Sequence, residues 1–375
     1  MHFGGLGTAV AGLTRALADA GAQVVVLLVH GEGSGYGYAY GYGRSYGHHR
    51  ARRGWATEHR HGIEYVHVSY AEGLSAAPAL AAARQAQVVH LHSSWLWPIA
   101  AAVREATATP VVYTAHSIDR AELEHGEWLM HGSIQDLVFA EADRVVVLSR
   151  SEHEYVLRHF PHLAGRVSVV GNGVHLTPRT PAKHHHPNGA VVLYVGRFGT
   201  RKGVRDLIEA VPDIARQVPA SRFVFVGGSS PDDGPDAAAA WVPPRLRAHR
   251  QRMTFLGWVD AAAGGARDWY TSADVLAIPS RYEPFGMVVL EGMLCGQAIV
   301  AADTGGPGEL LRHEQTALLY PAGDVPALAA ALVRMLRDAR LRRRLGGAAR
   351  KEVRERWTWP HVLPALLRTY ADAAR

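Results

Sequence analysis

The sequence predicts an α/β protein built from two Rossmann-like, doubly wound units that face a cleft. Three observations predict this. Short apolar runs alternate with segments of helical periodicity along the whole chain, the pattern of βα units and parallel sheets. Glycine-bearing loops follow several of those runs and open the next helix, as in open sheets that bind ligands at the carboxyl ends of their strands. The 375 residues are too many for one ordinary core and fit two.

The elements follow in order. Gly4, Gly5 and Gly7 open a helix expected over Thr8–Ala20. Strands are expected at Val24–Val29, Ile63–Val68, Val88–Leu91, Pro110–Thr114, Arg144–Leu148 and Val167–Val170. A second series is expected at Val191–Val195, Arg222–Val226, Met253–Leu256, Val275–Ile278, Gln297–Ala301 and Ala317–Leu319. Such runs read as buried parallel strands. Between the series, residues 176–189 hold Pro178, Pro181, Pro187 and the run His184 to His186 without apolar period. They are the expected linker between a unit at 1–175 and one at 190–358. The linker histidines lack a nearby carboxylate or cysteine and read as solvated. The Gly/Tyr-rich tract 31–47 reads as a mobile loop, with aromatic platforms for a glycan or lipid acceptor as the sharper alternative. Ser229–Ala240 also reads as mobile. A last helix is expected at Pro360–Ala373, with Trp357 and Trp359 before it as core anchors.

Apolar residues make up 48% of the chain, enough for a large core. No apolar run reaches the roughly 18 residues that span a bilayer, and no secretory leader precedes the first glycines. The single cysteine, Cys295, excludes an internal disulfide, and its place in a helix points to burial. A cytoplasmic setting is expected. The net charge of +6 favours anionic ligands or an anionic membrane surface. Much of it lies between Arg334 and Arg356, interrupted by Leu336, Leu341, Leu345 and Val353 at near-helical spacing. A solvated helix face and peripheral contact with the inner face of a membrane are both open readings there. Nucleic acid is not an expected partner, because no aromatic-interleaved basic groove is present.

The most informative segment is Arg281-Tyr-Glu-Pro-Phe-Gly-Met-Val-Val-Leu-Glu291. Glu283 falls in a strand-to-helix loop, and Glu291 just over one turn inside a helix expected at Met287–Cys295. The free N–H groups of Gly286, Met287, Val288 and Val289 suit an anion. A carboxylate is repelled by phosphate, so sugar hydroxyls are the natural partners of the two glutamates. A phosphate-linked sugar satisfies both requirements. Arg197 ends another expected strand, and Lys202 stands five residues on, at the start of the next helix. Both can grip a diphosphate, arginine as a planar fork and lysine as a point charge. Each charge-assisted contact contributes roughly 1.5–3 kcal/mol. Gly227-Gly228 and Gly305-Gly306-Pro-Gly-Glu309 follow two further strands on the same edge.

Together these motifs resemble the family 4 retaining glycosyltransferases of GT-B fold, and among them look most like glycogen-synthase-like members. They are Gly-Gly-Leu-Gly, Gly-Arg-Phe-x3-Lys-Gly, Glu-Pro-Phe-Gly-x4-Glu and Gly-Gly-x2-Glu. The resemblance covers essentially the whole chain. Asn172-Gly-Val174 matches the end of the family's first domain, with His175 in place of the usual aspartate. Trp359 matches the tryptophan before a closing helix, here 359–375, that crosses back onto that domain. The resemblance implies that Arg197 and Lys202 hold the diphosphate, with Gly7 and Gly5 near it through their backbone. It implies that Glu291 holds the ribose, and that Glu283, Phe285 and Gly286 hold the sugar. Gly227, Met287 and Val288 complete the donor site. His116, after the expected strand Pro110–Thr114, matches the family's histidine beside the transferred sugar; taken alone, it reads more readily as a satisfied structural residue.

The implied activity is hexose transfer, glucose or mannose, from a nucleoside diphosphate sugar to a glycan, lipid or small-molecule acceptor. Neither a metal nor another cofactor is expected, because no Asp-x-Asp clamp lies at a strand end. A nucleotide-sugar epimerase of the same fold, or nucleotide-sugar binding without turnover, are the alternatives. One departure stands out. The family has a strand before the glycine loop, whereas this chain begins Met1-His-Phe-Gly4. The expectation is exposed neighbouring strand edges and a looser loop at Gly7, from an upstream translation start or a truncated, weakened enzyme.

Overall fold

The computed structural model describes residues 4–30, 56–69, 76–127, 132–176, 190–230, 232–259 and 267–375. The Gly/Tyr-rich tract and the linker histidines lie outside them. Seven strands fall in the N-terminal half: β1 Val24–His30, β2 Ala56–Arg60, β3 Ile63–Ser69, β4 Val89–Leu91, β5 Val111–Ala115, β6 Arg144–Val147 and β7 Val167–Val169. Six fall in the C-terminal half: β8 Val191–Val195, β9 Arg222–Val226, β10 Met253–Phe255, β11 Val275–Ile278, β12 Ala298–Ala302 and β13 Leu318–Tyr320.

The C-terminal strands form one parallel sheet in the order β10-β9-β8-β11-β12-β13. Two apolar clusters cover its two faces, one around Leu207, Phe223 and Phe225, the other around Leu276, Leu290 and Met293. Burial on both faces is why these strands read as unbroken apolar runs. Chain order reverses between β8 and β11, which places a topological switch point at their carboxyl ends.

The N-terminal half differs from a single doubly wound sheet. Its strands form two sheets, β1-β3-β2 and the parallel β4-β5-β6-β7. β2 runs antiparallel to β3 and was not anticipated; its Ala-Thr-Glu-His-Arg sequence carries no apolar signal. The second edges of β1 and β4 have no strand partner among the described residues. The first helix spans Gly4–Asp19 and not Thr8–Ala20. Gly5 and Gly7 therefore sit in its first turn and not in a preceding loop, where their N–H groups still lack intrahelical partners.

The last helix, Trp359–Ala373, packs on the N-terminal half. Trp359, Val362, Leu363 and Leu366 join Leu13, Val112, Val146 and Val170 in one buried cluster. The Trp357 carbonyl accepts from Val174 N–H at 2.9 Å, and Trp359 N–H donates to the Val174 carbonyl at 3.3 Å. A Cβ on Gly173 would lie 2.8 Å from the Trp359 backbone, so the crossing needs glycine there.

Three further expectations change. The basic stretch is two helices, Val325–Arg337 and Ala339–Arg356, separated by Asp338, whose side chain caps the second. Its apolar residues Leu336, Leu341, Leu345 and Val353 are buried in the core, so none is left to enter a membrane. Among the described residues no helix is long and apolar enough to cross one. Around the expected mobile loop, Asp233 accepts from the Ser229 and Ser230 amides at 2.7 and 3.1 Å, and a helix spans Pro235–Ala239. Cys295 is half-buried and forms no disulfide.

Candidate active site

The loops leaving β8 and β11 at the switch point are bonded to each other. The Arg201 carbonyl accepts from the Arg281 and Tyr282 amides at 2.7 and 3.2 Å. Gly203 (φ +66°) brings the loops close enough; a Cβ there would lie 1.8 Å from the Pro279 carbonyl oxygen. This contact brings Lys202 and Glu283 together, Nζ to Oε2, at 2.5 Å. Ser280 Oγ adds a longer hydrogen bond to the same oxygen at 3.3 Å. Burial pushes the Glu283 carboxyl up, but Lys202 and then Arg201 outweigh it and hold the carboxyl below its ordinary range. Burial lowers Lys202, with Glu283 opposing.

Glu291 lies on the helix Met287–Leu294 that follows. Its Oε2 accepts from Tyr270 Oη at 2.7 Å, and burial raises its pKa against that hydrogen bond. Gly286 (φ +99°) is the cap of this helix, and Met287 at its first position lies 3.6 Å from where a Cβ on Gly5 would be. Two helix N-termini, one from each half, therefore meet beside the Glu283 loop. Val288 is half-buried on the same turn.

Several predicted donor residues also have packing reasons. The Phe285 side chain is buried against Trp357, ring centroids 5.9 Å apart, so only its backbone is near the cleft. Gly227 (φ +126°) is glycine because a Cβ would meet the Gly196 carbonyl oxygen at 2.0 Å. Gly305 and Gly306 let their loop lie on the Glu283–Phe285 backbone, with Gly306 N–H donating to the Glu283 carbonyl at 2.9 Å. They are a brace for the glutamate loop and not an open anion cradle.

Opposite, His116 follows β5 and lines a cavity with His90, His92, Thr114, Asn172 and Trp359. His116 Nε2 is 3.0 Å from His92 Nδ1. Burial, then His92, lowers the His116 pKa, and burial lowers His92 to about 4, so both rings are neutral near pH 7. The segment after His116 reaches the other half. Tyr282 Oη accepts from Ile118 N–H at 3.2 Å and donates to Glu152 Oε1 at 2.5 Å, while its ring stacks on His125. Arg201 pairs with Glu122 at 2.9 Å and Arg197 with Glu127 at 3.1 Å. Glu309 accepts from the Arg150 and Ser151 amides, at 3.0 and 2.9 Å, at the start of the helix Arg150–His159. Tyr282, Arg201, Glu122, Glu127 and Glu152 were not singled out from the sequence, since each bond joins residues far apart in the chain.

Burial raises the Glu152 pKa to about 7 against the Tyr282 hydrogen bond, and Oε2 is buried without a partner. The folded state therefore holds a proton that the unfolded chain releases near pH 4.3. This contribution is fully present below that pH and is lost as pH rises through 7. Glu152→Gln is expected to lose less thermal stability than the wild type between pH 5 and pH 8. Parallel melting-temperature profiles for the two proteins would refute it.

Cations and carboxylates interleaved at a switch point suit a ligand that carries both phosphates and hydroxyls. Comparison with known proteins agrees. The sequence pattern of the group 1 glycosyl transferases matches residues 189–338, and that of glycosyltransferase family 4 matches residues 3–178. The chain is 31% identical over 314 residues to an alpha-maltose-1-phosphate synthase of Mycolicibacterium smegmatis, covering 77% of this chain and 79% of that protein. It is 29% identical over 298 residues to a glycogen synthase of Mycobacterium tuberculosis, covering 77% and 69%. A sucrose-phosphate synthase from Thermosynechococcus elongatus superposes with a TM-score of 0.75 at 25% identity, over 98% of this chain and 93% of that one. The chain belongs to glycosyltransferase family 4; it is a glycosyltransferase of GT-B fold.

Proposed function

We propose that the chain transfers a hexose from a nucleoside diphosphate sugar to a carbohydrate or lipid-linked acceptor with retention of anomeric configuration. The observation that carries this reading is the Lys202–Glu283 pair at the β8/β11 switch point, beside Arg197 and the capped helix at Gly286. Relatives named for glycogen and maltose 1-phosphate synthesis, both glucose products, favour glucose over mannose.

In this reading Arg197 and Lys202 hold the diphosphate, and Gly5 and Gly7 approach it through free helix N–H groups. Glu291 accepts from the ribose, which its Tyr270-bound carboxylate can do through the other oxygen. Glu283 accepts from sugar hydroxyls, and neutral His116 meets the sugar from the opposite wall. The bond from C1 to the phosphate oxygen breaks, and the acceptor oxygen bonds to C1 on the same face. The acceptor proton passes to the departing phosphate. Preorganised cations stabilise the charge that develops there, which is the main catalytic contribution. No metal takes part.

A thermal-shift panel of UDP-, ADP- and GDP-sugars tests the donor class, followed by transfer assays with and without EDTA. One donor is expected to raise the melting temperature, and EDTA to leave transfer unchanged. Arg197→Ala is expected to weaken donor binding and turnover by about 10–100-fold each. Absence of stabilisation by every nucleotide sugar counts against the reading, and loss of transfer in EDTA against the metal-free mechanism.

A further inference from the structure

We infer that Glu127 is a resident counter-ion of the diphosphate seat, which positions Arg197 in the empty enzyme and is displaced when the donor enters. The inference rests on the assignment of Arg197 to the diphosphate. Glu127 comes from the opposite half, just after the short helix Asp119–Glu124. Its Oε2 is 3.1 Å from Arg197 Nη2, and its Oε1 accepts from the Arg201 amide at 3.4 Å. One guanidinium arm and one backbone N–H of the same loop thus bind a single anion, the set of donors a phosphate uses.

The carboxylate is built into place. Its backbone N–H donates to the Glu122 carbonyl at 3.1 Å, and Glu122 is itself buried, held by Arg201 at 2.9 Å and Ser117 Oγ at 2.6 Å. Gly126 (φ +78°) turns the chain onto Thr200. On the facing loop, a Cβ on Gly199 would lie 2.7 Å from Glu127 Oε1, so the space that glycine leaves is taken by the carboxylate. A second anion cannot share this seat, because like charges at contact distance repel. Donor binding therefore exchanges Glu127 for phosphate on Arg197. Tyr282–Glu152 and Glu309 remain to hold the halves together.

The test is calorimetric titration of the full chain with inorganic pyrophosphate, which carries the charge without base or sugar, and with UDP, ADP and GDP. Glu127→Gln keeps the size of the side chain and removes its charge. It is expected to bind pyrophosphate and the preferred nucleotide roughly tenfold more tightly, the scale of one charge-assisted contact. A residue that merely held the fold would shift binding the other way. Gly199→Ala is the second variant, since its Cβ expels the carboxylate tip from the loop; tightening is expected there too, and it decides the matter should Glu127→Gln fold poorly. Binding by the wild type that both variants leave unchanged or weaken overturns the inference alone. Wild-type binding that Arg197→Ala leaves unaltered overturns the assignment of the seat, and the inference with it.

Discussion

Glu283→Gln is expected to lower turnover by about 10²–10⁴-fold while nucleotide affinity stays within about threefold. In the proposed site the carboxylate meets the sugar and not the nucleotide, so its loss falls on the step in which the sugar becomes electron-poor. Lys202 and Arg201 hold the carboxyl below its ordinary range, so it is ionised at neutral pH. Glutamine keeps an oxygen for Lys202 and Ser280. Alanine would leave the Lys202 ammonium buried and unpaired, at about 3–5 kcal/mol, and would confuse catalysis with folding. Measured kcat and the dissociation constant of the nucleoside diphosphate separate the two effects. Undiminished turnover removes Glu283 from the mechanism.

Gly203→Ala is expected to produce the largest loss of stability of any single methyl addition at the switch point, about 4 kcal/mol or more. The left-handed backbone at φ +66° already disfavours alanine, and the new Cβ overlaps the Pro279 carbonyl oxygen at 1.8 Å. The obstacle is main chain, which cannot rotate away, so the loops carrying Lys202 and Glu283 have to separate. Gly7→Ala is the control. It sits in a helix with nothing within 4 Å of the added carbon and should be neutral or slightly stabilising. Urea unfolding of both variants is the measurement, and a Gly203→Ala loss under about 1 kcal/mol would contradict the overlap argument.

The C-terminal sheet was legible because its strands are almost wholly apolar and buried, with Arg222 and Thr254 the exposed polar exceptions. β2 was not, since an edge strand reading Ala-Thr-Glu-His-Arg buries little. Arg197, Lys202 and Glu283 could be found because polar residues at strand ends stand out against those runs. Glu127 and Glu152 could not, because a carboxylate on or beside a helix ordinarily faces solvent, and only tertiary structure brings a cation or a phenol to it. The glycines had two physical explanations that a sequence does not separate. Gly227, Gly305 and Gly306 permit close backbone approach, whereas Gly5 and Gly7 leave helix N–H groups accessible.

The helix Trp359–Ala373 carries a consequence for biosynthesis. Leu13, Val112, Val146 and Val170 precede the C-terminal sheet in the chain, yet the side chains that complete their cluster, Trp359, Val362, Leu363 and Leu366, follow it. The first-made half cannot finish its core during translation, while the second can close its sheet as it appears. Contacts of such long sequence separation form slowly and leave apolar surface uncovered in the meantime. The nascent chain must wait, part-folded, until the helix Trp359–Ala373 has been made, which makes that interval the moment when a chaperone matters most.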